Sequence, residues 1–379
     1  MFRSLPGLGA LTAISLALAA CSPIPDTVKI GVAQPLSGPL AALGQDMLRG
    51  VELAVNDLNR QGLKIDGKPV KLEVVAVDDK ADAETGKAAA RQLAAAKVSA
   101  VVGHLNSGVS MAAAPVYAEH HIPQLAISTK PEYTRMGLPT TLRLVANDAL
   151  QAKAMGSYAA TGLNGRRYGV LDDNTPYGKG LADSAAEQIK VRNKPVAVRK
   201  SLDDKTTEFE ALVDELKAAE VDVIVTTLAD FQTLALIDQL AKAGLHKMQI
   251  LGGDTIKTDK LIKAALPIKA VYATSPIIET REFLQGKAFL DKYQNAYQSE
   301  PVYGAHYAYD AVYVLTAAMQ KARSVDGKLV TEELKRIDAL APVTNAVRFN
   351  DKGEQFYGVI SVYSARPGVW DTVTRSDNW

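Results

Sequence analysis

Ser107, Ser128, Thr129, Tyr177 and Asp254 are the residues of this chain best placed for chemistry on a small ligand, and each follows a β-rich run. In open parallel sheets, ligands lie beyond the carboxyl ends of the strands, where loops and helix N-termini converge. Gly103-His-Leu-Asn-Ser107 leaves one such run and enters a helical stretch near Val109 or Ser110. Ser107 there offers its hydroxyl, and the helix its first amides, to a carboxylate or phosphate; a serine in that place is also a plain N-cap. Ile127-Ser-Thr-Lys-Pro131 supplies two hydroxyls, Ser128 and Thr129, which in such turns often satisfy their own backbone. Asp172-Asp-Asn-Thr-Pro-Tyr-Gly178 carries Tyr177, either a core aromatic or a ring that covers a ligand. Gly252-Gly-Asp254 ends a further strand, with Asp254 either capping the next turn or balancing a ligand cation. Singly these are bland. Together they place an anion-binding helix start and hydroxyls on one unit, and a ring and a carboxylate on another, which suits a zwitterion.

The elements that must position these residues alternate between two periods. Val28–Ala33 is β-rich, and Leu43, Met47, Val51, Val55 and Leu58 then recur as one face of an amphipathic helix. Val70–Val77, a helix over 82–97, Ser99–Gly103, another helix and Pro123–Ile127 continue the series. A second series runs from Arg167–Leu171 through Val196–Leu202, a helix over 208–219, Val221–Thr227 and Gln249–Gly252. Pro139–Val145 between them reads as a crossover. After a strand over 270–274 the pattern turns helical over 282–298, 305–322 and 331–340, then returns to β character over 346–349 and 356–363. Strand–helix alternation of this kind implies right-handed βαβ units and parallel sheets covered by helices. The number of units predicts two α/β lobes, each Rossmann-like and doubly wound.

Composition narrows the classes. Leu8–Ala20 is a mostly apolar run behind a single charge, Arg3, and ends in Leu18-Ala-Ala-Cys21, the order of a secretory signal. The run is shorter than the about 20 residues a spanning helix needs. Leu-Ala-Ala-Cys resembles the lipobox of bacterial lipoproteins, which implies cleavage before Cys21 and acylation of that residue, with 21–27 as a short tether. Removing residues 1–20 takes one of 43 basic side chains and no acidic one, leaving 42 against 42. Nucleic-acid binders show a basic excess or stripe; none is present. Cys21 is the sole cysteine, so no intramolecular disulfide forms. Enzyme motifs are absent too: no Gly-x-Ser-x-Gly elbow, Walker A loop, His-Glu-x-x-His or Gly-x-Gly-x-x-Gly. His120 and His121 are neighbours on a helix end and cannot aim at one metal, and Asp78-Asp79 reads as a pair of strand-end turn acids.

The chain resembles the periplasmic leucine/isoleucine/valine-binding proteins of ABC importers. The likeness rests on Val28–Pro39, Gly50–Asn59, Val77-Asp-Asp79, Gly103–Ser107, Ser128–Glu132, Tyr177-Gly-Lys-Gly180 and Tyr309-Asp-Ala-Val312, in order along the mature chain. It implies a type I periplasmic binding fold, with two lobes joined by a three-strand hinge crossing near 145–148, 272–277 and 343–348. The N-terminal lobe is then 28–146 plus 276–345, and the C-terminal lobe 147–275 plus 346–379. It further implies that a ligand carboxylate meets Ser107 and backbone amides. The ammonium would meet Ser128, Thr129 and Asp254, with Tyr177 contributed by the second lobe. Leu43 and Leu228 align with pocket positions that carry rings in leucine-binding relatives, and Tyr303 falls at the rim. Asp254 is one methylene shorter than the family's glutamate, and Asn106 occupies a position that is a disulfide cysteine in some members. The implied protein is a monomeric, lipid-anchored receptor in the periplasm or at the cell surface. It would bind branched-chain or similar neutral amino acids for permease subunits in the inner membrane, with no cofactor, metal or catalysis. The alternatives are an envelope lipoprotein that regulates an enzyme or sensor by contact, or a receptor for an amide, urea-like or aromatic carboxylate ligand.

Overall fold

The computed structural model describes residues 23–376 of the chain; Cys21 and the leader lie outside the described residues. The first lobe opens with β1 (Thr27–Gln34) and α1 (Ala41–Gln61), whose Met47, Val51, Val55 and Leu58 are buried as the spacing predicts. The short hairpin β2 (Lys64–Ile65) and β3 (Lys68–Pro69) leads to β4 (Lys71–Asp78). Then follow α2 (Ala83–Ala95), capped by the Asp82 side chain on the Thr85 amide, β5 (Ala100–Gly103) and α3 (Ser107–Glu119). β6 (Gln124–Ala126), the single turn α4 (Glu132–Arg135) and β7 (Thr141–Arg143) complete the series. The sheet order β4-β1-β5-β6-β7 is parallel throughout.

The second lobe repeats the plan. It comprises α5 (Asp148–Ser157), β8 (Tyr168–Asp172), α6 (Pro176–Val191), β9 (Val196–Ser201), α7 (Glu210–Ala218) and β10 (Val223–Thr226). α8 (Asp230–Lys242), β11 (Gln249–Gly252), α9 (Asp259–Lys263) and β12 (Ala270–Ser275) follow. Both parallel series share one order, second strand, first, third, fourth, fifth. The strand order therefore reverses between β1 and β5 in one lobe and between β8 and β10 in the other. Loops at such reversals diverge and leave a crevice.

The chain then returns to the first lobe with α10 (Gly286–Tyr297), α11 (Ala305–Ala322), α12 (Gly327–Leu334) and the hairpin β13 (Asp338–Ala341) and β14 (Asn345–Arg348). Gly50 makes this return possible: a Cβ there would lie 2.1 Å from the Ala305 carbonyl oxygen, so only glycine lets α1 cross α11 so closely. β15 (Ser361–Arg366) and β16 (Val369–Arg375) finish as an antiparallel pair beside β12.

Three expectations change. Pro139–Val145 contains β7, the fifth strand of the first sheet, so the first crossing begins only after Arg143. The helix expected over 331–340 stops at Leu334, because buried Asp310 captures the Val343 and Thr344 amides and folds 338–348 into a hairpin. Residues 346–355 stay with the first lobe, so the third crossing lies at 356–361, not 343–348. Val347 and Phe349 are buried in the first-lobe core, and Gly353 (φ +84°) rides against the Thr141 carbonyl and accepts the Arg143 amide at 2.8 Å.

The side chain of Arg143, fully buried, fixes that segment. Its Nε donates to Glu354 Oε2 at 2.9 Å, and its NH2 groups donate to the carbonyls of Ser128 and Lys130, over the face of Tyr133. Removing one partner of a buried ion pair leaves the other charge uncompensated, so Glu354→Ala is expected to lower the unfolding free energy by about 3–5 kcal/mol. Urea unfolding of the acyl-free protein reads this; a loss under about 1 kcal/mol, typical of exposed pairs, would mean the guanidinium is solvated.

Candidate functional site

The second lobe meets the first at Asp254, which a short 3-10 turn carries just beyond β11. Tyr177, on the first turn of α6, donates its phenol hydrogen to Asp254 Oδ1. Thr175 caps that helix on the Gly178 amide at 2.9 Å and Pro176 pre-sets its first φ, so Tyr177 is held at a rigid helix start. From the other lobe, the Tyr303 hydroxyl lies 3.4 Å from Asp254 Oδ2. Tyr303 sits just before α11, and its loop is pinned by Asp46 of α1, whose buried carboxylate accepts the Val302, Tyr303 and Ala305 amides at 2.9–3.0 Å. The contact between Asp254 and Tyr303 therefore joins the lobes.

On the first-lobe side, Ser107 is the first residue of α3, not its side-chain cap. Its Oγ accepts the Lys130 amide at 3.3 Å, which draws the α3 start against the Ser128–Lys130 loop. The Ser128 hydroxyl is occupied inward, sharing a hydrogen bond with Ser110 and reaching the His104 carbonyl at 3.2 Å. Thr129 turns the other way. Its carbonyl accepts the Asp148 amide at 2.8 Å. Leu43 is half-buried in the first turn of α1, and Leu228 is fully buried in the second-lobe core beyond β10, its carbonyl accepting the hydroxyl of Thr255, the neighbour of Asp254, at 2.9 Å.

Two residues that the sequence reading passed over complete the group. Asp148 and Gln151 lie one turn apart at the start of α5, which Asn147 caps on the Leu150 amide. Gln151 Nε2 donates to the Thr274 carbonyl and hydroxyl at 3.2 Å, while Gln151 Oε1 and Asp148 Oδ1 are buried acceptors without a partner. Burial pushes the Asp148 carboxyl up to about 7, the neighbouring Asp254 charge adding to the effect. Asp254 is also raised by burial, against the opposing hydrogen bonds from Tyr177, Gln151 and Tyr303. Burial first, then the Asp254 charge, raises the Tyr177 phenol, which stays a donor. One carboxyl oxygen and one amide oxygen without donors, beside the raised Asp254 carboxyl, make a site for a cation.

The remaining acids and histidines have local roles. Asp78 accepts the Leu36 and Lys80 amides, and Asp79 pairs with His104 Nδ1 at 2.6 Å. Among the described residues no group of three His, Cys, Asp or Glu could hold a metal, and no helix is long and apolar enough to cross a membrane. A hollow of about 460 Å³ on the first lobe is lined by α1, α11 and β13 and shares no residue with the Asp254 group. A smaller cavity, about 50 Å³, adjoins Asp254 and Tyr303.

Two lobes with matching strand orders, three crossings and a polar group at their junction define the class, a two-lobed α/β binding-protein fold. The chain belongs to the periplasmic binding protein family, whose pattern matches residues 27–366. It is 30% identical over 332 residues to a Leu/Ile/Val-binding protein homolog of Brucella abortus, covering 86% of this chain and 87% of the relative. The leucine-binding protein LivK of Thermotoga maritima superposes with a TM-score of 0.81 at 24% identity, covering 93% of this chain and all of the other. The branched-chain amino acid transporter substrate-binding protein LivJ of Streptococcus pneumoniae, solved with isoleucine, gives 0.80 at 27%, covering 92% and 99%. Membership of this family places the domain outside the cytoplasm.

The raised Asp148 carboxyl makes a signed prediction. Below its unfolded value of 3.8 both states are protonated. Between there and about 7 the unfolded chain releases a proton that the folded chain keeps, so stability falls as pH rises across that window. Denaturant midpoints at pH 4.5, 5.5, 6.5 and 7.5 should fall more steeply for the native sequence than for Asp148→Asn. Parallel curves would show that Asp148 titrates normally.

Proposed function

We propose that this protein is the substrate-binding component of an ABC importer, closing around a neutral amino acid of the branched-chain class. The observation that carries the reading is the pair of partnerless buried acceptors, Asp148 Oδ1 and Gln151 Oε1, beside the Asp254 carboxyl at the junction of the lobes, together with an α3 start that has no side-chain cap. An α-ammonium group supplies the hydrogen-bond donors that Asp148 Oδ1 and Gln151 Oε1 lack, and its charge favours ionised Asp254. An α-carboxylate takes the first amides of α3 and the Ser107 hydroxyl, where the helix dipole favours negative charge. Thr129 stands between the two poles, and Tyr177 closes the second-lobe side. The relatives named for leucine, isoleucine and valine support the aliphatic class.

Ligand engages the first lobe, and rotation about the three crossings brings Asp254 and Tyr177 onto it. Closure is favoured only by the contacts made to the second lobe. The permease can then distinguish the closed, loaded form. Acylated Cys21, with residues 21–27 as tether, keeps the receptor close to the membrane and raises its effective concentration there. Replacing Cys21 with Ser should move the protein to the soluble fraction without altering ligand affinity.

Thermal unfolding of the acyl-free protein against the twenty amino acids tests the assignment, because a ligand at 100 times its Kd adds about 2.7 kcal/mol. An aliphatic amino acid should raise Tm, and no shift with any of the twenty would sink the assignment. Asp254→Ala should weaken binding about 100-fold, the scale of one charge-assisted bond and its unpaired partner, with Tm of the free protein nearly unchanged. Because the ammonium favours ionised carboxyls, affinity should rise with pH through about 7, opposite in sign to the stability trend. Calorimetry at pH 6 and pH 8 reads that sign directly.

A further inference from the structure

Three polar side chains lie sealed beneath the start of α3: Asp79, His104 and Tyr117 are each 0% exposed. Asp79 stands just past β4 and His104 just past β5, the two strands that flank β1. Their contact therefore spans the end of β1, where the Asp79 amide donates to the Gln34 carbonyl at 3.0 Å. His104 Nδ1 donates to Asp79 Oδ2 at 2.6 Å, and Nε2 lies 3.1 Å from the hydroxyl of Tyr117, near the end of α3. Asp79 Oδ1 accepts the Ala81 amide at 2.9 Å. Both ring nitrogens and both carboxyl oxygens are engaged, which leaves the imidazole one orientation. Acid, imidazole and hydroxyl in a row is the order of a proton relay, yet the hydroxyl at its end is sealed and can touch no substrate.

What the row fixes is backbone. The His104 carbonyl accepts the Ser110 hydroxyl at 3.3 Å and the Ser128 hydroxyl at 3.2 Å, so one carbonyl ties the first turns of α3 to the Ser128–Lys130 loop. From behind, α2 presses on the same turn: a Cβ on Gly86 would lie 2.3 Å from Val109 Cγ1. That loop also reaches the second lobe, Lys130 Nζ donating to the Pro176 carbonyl at 3.5 Å. Asn106 holds the cap position of α3 and is of a strongly preferred capping type. It makes no cap bond, and its Oδ1 is buried without a partner. The helix start is thus held firmly from beneath while its own cap is left unmade.

We infer that His104, oriented by Asp79 and Tyr117, is a positioning residue for the ligand carboxylate, setting the α3 start so that its first amides meet that group. The inference rests on the amino-acid reading above and names what aligns its anionic pole. Isothermal titration of the acyl-free protein with leucine and with leucinamide tests it, because the two ligands share ammonium and side chain and differ only at the carboxylate. The ratio of their Kd values reads that pole alone. The native sequence should bind leucine about 100-fold tighter, since the helix start meets a charge in one ligand and a neutral group in the other. His104→Leu should lower the ratio about 10-fold, the difference between a charge-assisted and a neutral hydrogen bond. His104→Asn, whose amide can still donate to Asp79, should keep the ratio within threefold of native. Tyr117→Phe keeps the ring, should lower the ratio threefold or more, and is the variant to read where His104→Leu does not fold. Equal losses for both ligands, with the ratio unchanged, would assign the row to folding alone and overturn the inference while the amino-acid reading stands. A loss of ratio in His104→Asn as large as in His104→Leu would overturn it too, because the Asp79 bond would then orient nothing. No binding of leucine by the native sequence would reject both readings together.

Discussion

The buried guanidinium of Arg143 is the interaction on which the rest of this structure depends. It stands at the end of β7, the last strand before the chain first leaves the first lobe, and it satisfies itself entirely within that lobe. Its donors go to Glu354, which belongs to the segment just before the third crossing, and to the Ser128 and Lys130 carbonyls in the loop beside the ligand cleft. One cation thus fixes two hinge strands and one wall of the site. Although burial opposes it, the Arg143 charge holds the Glu354 carboxyl below its ordinary value, so the pair stays ionised. A buried charge is tolerable only when paired and hydrogen-bonded, and here the requirement fixes the Ser128–Lys130 loop, whose Thr129 carbonyl accepts the Asp148 amide of α5.

The acids across the junction obey the opposite rule. Asp148 is buried and Asp254 partly so, yet no cation forms an ion pair with either among the described residues, and burial raises both. Phenols from Tyr177 and Tyr303 and the amide of Gln151 supply neutral donors only. The first lobe is therefore electrostatically complete, and the junction is not. Lobes that close on such a junction without a ligand cation must desolvate carboxyl groups for neutral hydrogen bonds, which is unfavourable. With an ammonium present, the same closure converts them into charge-assisted pairs.

Much of this was legible in the sequence, and the limits are physical. The parallel sheets followed from alternating periods because strands buried on both faces read as apolar runs, as Ala100–Gly103 and Val223–Thr226 do. Tyr177 and Asp254 were visible because ligands bind in the loops beyond the carboxyl ends of parallel strands, and Tyr303 only through the family resemblance. Asp148 and Gln151 were passed over because they lie on a helix face, at a spacing that suits any amphipathic helix. Asn147-Asp148 followed by Gln151, a cap with two polar residues on one inward face, was the available signal. The third crossing was misplaced for a different reason. The contacts that hold residues 346–355 to the first lobe, Glu354 to Arg143 and Gly353 to Thr141, span more than 200 positions and leave no local pattern.

The position of that third crossing bears on how the hinge moves. With Glu354 locked to Arg143, the linker that bends is confined to the few residues between Phe356 and Ser361, where Gly358 packs directly on Ala146 of the first crossing. Two crossings in contact move as one, while the second, at Ser275–Ile278, passes beside the Lys257–Glu279 pair. A rotation of one lobe on the other would have to bend the chain at the Gly358–Ala146 contact and beside that ion pair. Asp254 lies next to the ion pair, so a small rotation carries its carboxylate only a short way while the outer ends of the lobes swing far. A site near the axis can sense a ligand with little displacement, and the large movement falls on the distant surfaces that a permease would read.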